Sequence, residues 1–139
     1  MILTCEIEGV TYFLDATGRF LPLEFPSSFI QGKEALVENG EGDYKIVEVP
    51  IVEGSENKFD DTLHVQLDGN SLKGNGTAVL TGYQKSDTFN TLERIDTQEK
   101  LTEYYNAFLR KGSNRFAIDT FEEKNKFSYE NPYTIDYAF

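Results

Sequence analysis

Cys5, His64 and Asp15 are the residues of this 139-residue chain whose types and places suggest a nucleophile, a base and an orienting acid. They are the lone cysteine, the lone histidine, and an aspartate that closes the run Tyr12-Phe13-Leu14. A catalytic thiolate needs a base within hydrogen-bond reach, and that base needs a third group to orient it. The spacing does not supply such a set. Cys5 alternates with Leu3 and Ile7, as a small buried hydrophobe does, and that reading outweighs the nucleophile. His64 lies far downstream with Thr62 and Gln66 on its face, which marks a solvent-facing strand residue. A metal at His64 needs more ligands, and only Asp60, Asp61 and Asp68 are near in sequence. Asp60-Asp61 and Asp68-Gly69-Asn70 lack the register of a calcium loop and read as strand-end and turn residues. On spacing alone, Asp15 is a turn residue whose carboxylate bonds the backbone near Thr17.

The elements that must hold these residues are mostly hairpins. Residues 2–15 alternate around Glu8-Gly9, which predicts a hairpin with Ile7 opposite Val10, Cys5 opposite Tyr12 and Leu3 opposite Leu14. Those six form one apolar face, expected to be the buried one. Thr4, Glu6, Thr11, Phe13 and Asp15 fall on the other face, so Cys5 and Asp15 point to opposite sides. Residues 18–32, with Pro22, Pro26, Ser27 and Ser28 among large apolar residues, read as an irregular connection. Residues 34–38 and 44–49 flank Asn39-Gly40-Glu41-Gly42 as a second hairpin. The polar stretch 50–58 reads as a linker. A third hairpin turns at Asp68-Gly69-Asn70-Ser71 and returns over 72–82, where Gly74 and Gly76 signal a bulge or a close backbone approach.

The clearest helix spans 97–111. Asp96 and Glu99 form a capping-box variant, and Leu101, Tyr104, Tyr105, Phe108 and Leu109 make one apolar stripe. Arg110 and Lys111 suit its negative end, and Gly112 its left-handed stop. A shorter helix is expected over 87–95, capped by Ser86, with Phe89 and Leu92 on one face. Residues 116–122 and 133–139 read as final strands. The fold class is therefore α+β and β-rich, built of antiparallel hairpins with one long and one short helix.

Composition bounds the function. A 39% apolar share with eleven Phe and eight Tyr is enough for a core. A net charge of −11, spread along the chain, disfavours nucleic acid and anionic membrane surfaces as partners. No apolar run approaches the roughly 20 residues of a membrane helix, so no membrane insertion is expected. One cysteine excludes an internal disulfide and a multi-cysteine zinc site. Tyr83, Tyr104, Tyr105, Tyr129, Tyr133 and Tyr137 evoke a sugar platform, but an aromatic stripe at this spacing is more often core. Asn75-Gly76-Thr77 matches a glycosylation acceptor, a short motif common by chance. The chain opens inside an apolar strand and closes on an aromatic one, the expected appearance of a segment taken from a larger protein.

Residues 2–49 resemble the last part of a transglutaminase-like, papain-related catalytic core. The matching segments are Ile2-Leu3-Thr4-Cys5-Glu6-Ile7, the turn Glu8-Gly9, Tyr12-Phe13-Leu14-Asp15-Ala16-Thr17, Leu21-Pro22 and Ile30-Gln31-Gly32-Lys33-Glu34-Ala35-Leu36-Val37. Residues from about 52 to 139 are similar to the uncharacterised domain that follows such cores in large exported bacterial proteins. Leu67-Asp68-Gly69-Asn70-Ser71-Leu72-Lys73-Gly74 and Thr81-Gly82-Tyr83 carry that second match. The resemblance implies a remnant of the catalytic core over 1–50 and an accessory α+β domain, truncated at its C-terminus, over 51–139. It also implies that Asp15 is the orienting member of a cysteine-histidine-aspartate triad. The family's histidine falls just ahead of Met1 and its cysteine on a helix further upstream, and Cys5 does not match that cysteine.

The expectation is thus a non-catalytic fragment of a cysteine peptidase or acyl-transferase type of protein, in a periplasmic or extracellular setting. It needs no cofactor and no metal, and its first partner is the missing upstream part of the parent chain. The alternative is an extracytoplasmic module that binds a protein or a glycan without any enzymatic activity.

Overall fold

A computed structural model of the chain describes residues 3–15 and 18–139. Among the described residues, eight strands form three antiparallel sheets, accompanied by two helices. The first sheet pairs β1 (Leu3–Ile7) with β2 (Val10–Leu14), and the second pairs β3 (Glu34–Glu38) with β4 (Tyr44–Glu48). The third contains β5 (Phe59–Asp68), β6 (Ser71–Leu80), β7 (Thr120–Lys124) and β8 (Tyr133–Ala138), in the order β5-β6-β8-β7. Helices α1 (Gly82–Leu92) and α2 (Gln98–Phe108) lie between β6 and β7 in the chain. The fold is α+β and β-rich, with antiparallel hairpins and two helices.

The first hairpin has the register read from its sequence, with Ile7 opposite Val10 and Cys5 opposite Tyr12. Its loop residues Glu8 and Gly9 take φ of +52° and +81°, the left-handed pair that a tight hairpin turn demands. The buried side is the reverse of the one expected. Phe13, at 5% exposure, packs with Val37 and Val49, while Leu3 at 69% and Val10 at 54% face solvent. Val37, Val49, Ile30, Ala35 and Val47 supply one small apolar cluster, and the hairpin turns Phe13 toward it. Cys5 is consequently half-buried on the outward face, not a core residue.

The larger core fills one face of the four-stranded sheet. Ala78, Leu80, Tyr133, Ile135 and Tyr137 meet Phe89 and Leu92 of α1 and Tyr105 and Leu109 from α2 and its end. Phe20 joins them from the connection after the first hairpin, edge-on to Phe89 and stacked on Phe127. The first part of the chain therefore contributes to the core of the second. No helix among the described residues is long and apolar enough to cross a membrane.

Several boundaries differ from the sequence reading. Helix α1 begins at Gly82, not 87, and Ser86 is a buried interior residue rather than its cap. The start is fixed from afar, because Asn57 Oδ1 accepts from the Gln84 N–H at 3.2 Å. The Thr81 hydroxyl is already committed, donating to the Glu56 carbonyl while accepting from the Lys58 N–H. The stretch read as a linker is thereby fastened to α1 and holds a short 3-10 turn, Gly54–Glu56. Helix α2 is capped by Thr97, whose side chain accepts from the Lys100 N–H, and not by Asp96, which pairs with the Lys100 ammonium. It ends at Phe108 rather than 111, and the strand expected over 116–122 is Thr120–Lys124. Gly74 and Gly76 mark close approaches, since the β5–β6 ladder runs through both without a bulge.

Candidate functional site

Asp15 stands just past the end of β2, half-buried, where the register gives it the parity of Phe13 and sets it apart from Cys5. Its Oδ2 accepts a hydrogen bond from the hydroxyl of Ser27, which is itself buried at 6% exposure. Ser27 sits in a tight turn in which the Ile30 N–H bonds the Ser27 carbonyl. The carboxylate thus has a fixed orientation toward the 18–28 connection. Thr17, whose backbone was the expected partner, lies outside the described residues, as do Met1, Ile2 and Ala16. A cleft of about 400 Å³ opens beside Asp15, walled by Leu3, Phe13, Leu14, Leu21 and Pro22. A carboxylate held at the edge of an apolar cleft can orient an imidazole and stabilise its cation.

Neither of the other chemistry-bearing residues is on this cleft. Cys5 stays on the outward face of the first hairpin, and His64 is exposed on β5 of a different sheet. Among the described residues no cluster of three or more His, Cys, Asp or Glu could hold a metal ion. The structure does not unite Cys5, His64 and Asp15, and Ser27 is the neighbour that sequence reasoning missed. Its signal was present in Pro26-Ser27-Ser28, a turn that supplies hydroxyls, but nothing in the spacing aimed one at Asp15.

A second cleft of about 610 Å³ shares Pro22, Leu23 and Phe25 with the first and has Lys85 at its wall. Lys85 is only 4% exposed, and its ammonium donates to the carbonyls of Tyr129 at 2.8 Å and Asn131 at 3.1 Å. Burial lowers its pKa. These bonds pin residues 125–132, where Asn125 and Phe127 take φ of +59° and +61°. Phe127 is held in that left-handed backbone by its rings' contacts with Phe20 and Phe89. Lys85 is therefore a fastener of this loop.

The buried tyrosines carry structural hydrogen bonds. The Tyr105 and Tyr133 hydroxyls bond each other and both reach Glu123 Oε1. Burial raises both phenol pKa values, and donation to Glu123 raises them further. For Glu123, burial pushes the carboxyl up, but the bonds from Tyr105, Tyr133 and Lys126 prevail and hold it below its usual value. Of the six tyrosines that suggested a sugar platform, Tyr105, Tyr133 and Tyr137 are buried and only Tyr129 is well exposed.

Exposed apolar side chains lie on both small hairpins, and a further set, including Leu67 and Leu72, lies on the β5–β6 hairpin. Leu3, Ile7 and Val10 face outward on the first, and Leu36 at 71% and Ile46 at 69% stand opposite each other on the second. The Lys45–Glu6 ion pair ties the hairpins together at 3.6 Å, and an apolar groove of about 770 Å³ runs between Leu3, Leu36 and Tyr44. No family model matches the chain, and no curated protein or solved structure is significantly similar to it.

Proposed function

We propose that the chain is a non-catalytic support module of a transglutaminase-like protein, in which residues 3–49 dock onto the catalytic part and Asp15 serves as the orienting carboxylate. The observation that supports this reading is the outward apolar face of both small hairpins. Leu3, Ile7, Val10, Leu36 and Ile46 are exposed beside a cluster as small as Phe13, Val37 and Val49. An aliphatic face of this kind gains from burial against a protein surface, at about 25 cal/mol per Å² removed from water. A second observation agrees with the role of Asp15: Ser27 fixes its carboxylate at the rim of an apolar cleft.

The interaction-module reading remains the rival, with a protein rather than a glycan as partner. Sugar platforms use exposed aromatic faces. The aromatic residues of 59–139 are buried or half-buried, except Phe59, Phe127 and Tyr129.

The experiment is to supply the chain to a transglutaminase-like catalytic core that lacks its own aspartate hairpin and to assay thiol-dependent amide hydrolysis or amine incorporation. Restored turnover that falls by about 10³–10⁴ with Asp15→Asn, the scale of a lost orienting carboxylate, agrees with the proposal. Binding without restored turnover favours the interaction module. Thiol-dependent activity of the chain alone, abolished by Cys5→Ser, overturns both readings.

A further inference from the structure

The third hairpin is longer than the sheet that carries it. Strand β8 pairs with β6 only from Asn75 to Leu80, so the turn end of the β5–β6 hairpin projects beyond it. Strand β5 is the outer strand, and among the described residues nothing pairs with its free side. Its first residues are occupied: Phe59 stacks on Phe108, and Asp61 bonds Lys111 and Tyr137. From Thr62 to Asp68 every residue is exposed except at the ladder itself.

The direction of the backbone groups on this segment follows from one pair of bonds. The Gly74 N–H donates to the Phe139 carbonyl at 2.9 Å, and the Gly74 C=O accepts from the Phe139 N–H at 3.0 Å. In an antiparallel strand both groups of a residue point the same way, so Gly74 and its partner Val65 form a non-hydrogen-bonded pair. Val65 therefore turns its N–H and C=O outward, and by the period of two so do Leu63 and Leu67. These same residues carry an aliphatic row, with Val65 at 50% and Leu67 at 74% exposure. The segment contains no proline, no lysine and no bulge, the usual guards of a sheet edge.

We propose that the free side of β5 pairs with β5 of a second copy of this chain, antiparallel about a two-fold axis through Val65. The segment itself selects that occupant and that register. Val65 is the midpoint of 62–68, so a two-fold axis there uses the whole free run and stops short of Asp61 and α2. Leu63 then meets Leu67 of the second copy, Val65 meets Val65, His64 meets Gln66, and Thr62 meets Asp68. Apolar meets apolar on one face, polar meets polar on the other, and no acid stands opposite an acid. Sliding one way by a pair sets Asp60 against Asp68 twice, and like charges directly opposite are unfavourable. Sliding the other way leaves Leu63 opposite Gly69. A one-residue slip puts the aliphatic row against the polar row. The product joins two four-stranded sheets into one continuous sheet. Each copy carries a net charge of −11, so the pairing tightens as salt screens the repulsion.

The test is sedimentation equilibrium of the chain at high micromolar concentration, with circular dichroism to confirm the fold of each variant. The expected species has twice the 15.8 kDa of one chain and gains population with added salt. Val65→Pro removes both bonds exchanged at the two-fold axis while leaving the β5–β6 ladder intact, and it should raise the dissociation constant at least about tenfold. Should that variant fail to fold, Leu67→Lys at an exposed position provides the same reading. Leu36→Lys, on the separate apolar face used for docking above, should leave the dimer unchanged. In a Cys5→Ser background, a short bismaleimide should link Val65→Cys to itself and fail to link Thr62→Cys to itself. A monomer under these conditions, or a dimer indifferent to both β5 substitutions, overturns the proposal. So does a monomer that captures an extended peptide along β5, which assigns the edge to a different partner.

Discussion

The Tyr137 hydroxyl lies across Gly76 and bonds both carboxylate oxygens of Asp61, at 2.9 and 3.0 Å, from two strands away. A Cβ on Gly76 would meet the Tyr137 ring at 2.5 Å and Leu63 at 2.8 Å. The glycine is there for the ring to cross the sheet. Burial, and then donation to Asp61, raises the Tyr137 pKa.

Gly76→Ala must push the ring aside, which costs about 1–3 kcal/mol by the measure of overpacked cores. Tyr137→Phe keeps the ring and loses only the hydrogen bonds, so it should cost less. The two losses should not add, because displacing the ring already breaks the bonds to Asp61. Urea denaturation of the single and double variants measures this, and simple additivity would refute the crossing geometry.

Stability should fall at both ends of the pH scale, and the Glu123 cluster sets the direction at each. The Glu123 pKa lies below its usual 4.5 in the folded chain. Its contribution is therefore present above that value and is lost as the pH falls through the folded one. Tyr105 and Tyr133 lie above their usual 10.0. Their contribution is present below pH 10 and is lost as the pH rises beyond it, because the unfolded chain ionises first. Glu123→Gln should cost about 1–3 kcal/mol at neutral pH and flatten the acid limb. Thermal melts across the pH range, with tyrosinate absorbance followed at the alkaline end, provide the check.

Asn57→Ala should remove the cap that starts α1 and cost about 1 kcal/mol. Gly82→Ala should cost more, because Gly82 has φ of +56° and a Cβ there would lie 2.5 Å from the Glu56 carbonyl. Hydrogen exchange at the first turn of α1 distinguishes local fraying by Asn57→Ala from global loss by Gly82→Ala.

Phe20→Ala should cost about 3–5 kcal/mol, as truncation of a buried aromatic does. The loss should appear in the transition of the four-stranded sheet, although Phe20 follows the first hairpin in the chain. Separate unfolding of the two parts with no effect of this substitution on the second would contradict the packing. Tyrosine fluorescence reports that transition, since Tyr105 and Tyr133 lie in the same core.

What was legible in the sequence was local. The hairpin registers followed from alternation and from turn residues that tolerate left-handed backbone, as Glu8-Gly9 and Gly69 do. The stripe on α2 identified Tyr105 and Leu109 as core residues. The α1 cap was misread because its partner is distant, Asn57 acting from 27 residues before Gln84, while the α2 cap was displaced by one residue, from Asp96 to Thr97. Asp15 illustrates the same division at the candidate site. Its place at a strand end and its parity opposite to Cys5 were readable, but Ser27 as its partner was not.

Local periodicity and turn chemistry specify a β-rich α+β protein of three hairpins, two helices and two final strands, because both act over a few residues. Which face of each hairpin is buried is set by packing between elements distant in the chain. Alternation divides a strand into two faces without saying which of them meets a neighbour. That choice belongs to distant groups: Val37 and Val49 draw Phe13 inward and leave Leu3, Ile7 and Val10 outside. Burial depends on the whole arrangement of surfaces, and no spacing within one strand encodes it.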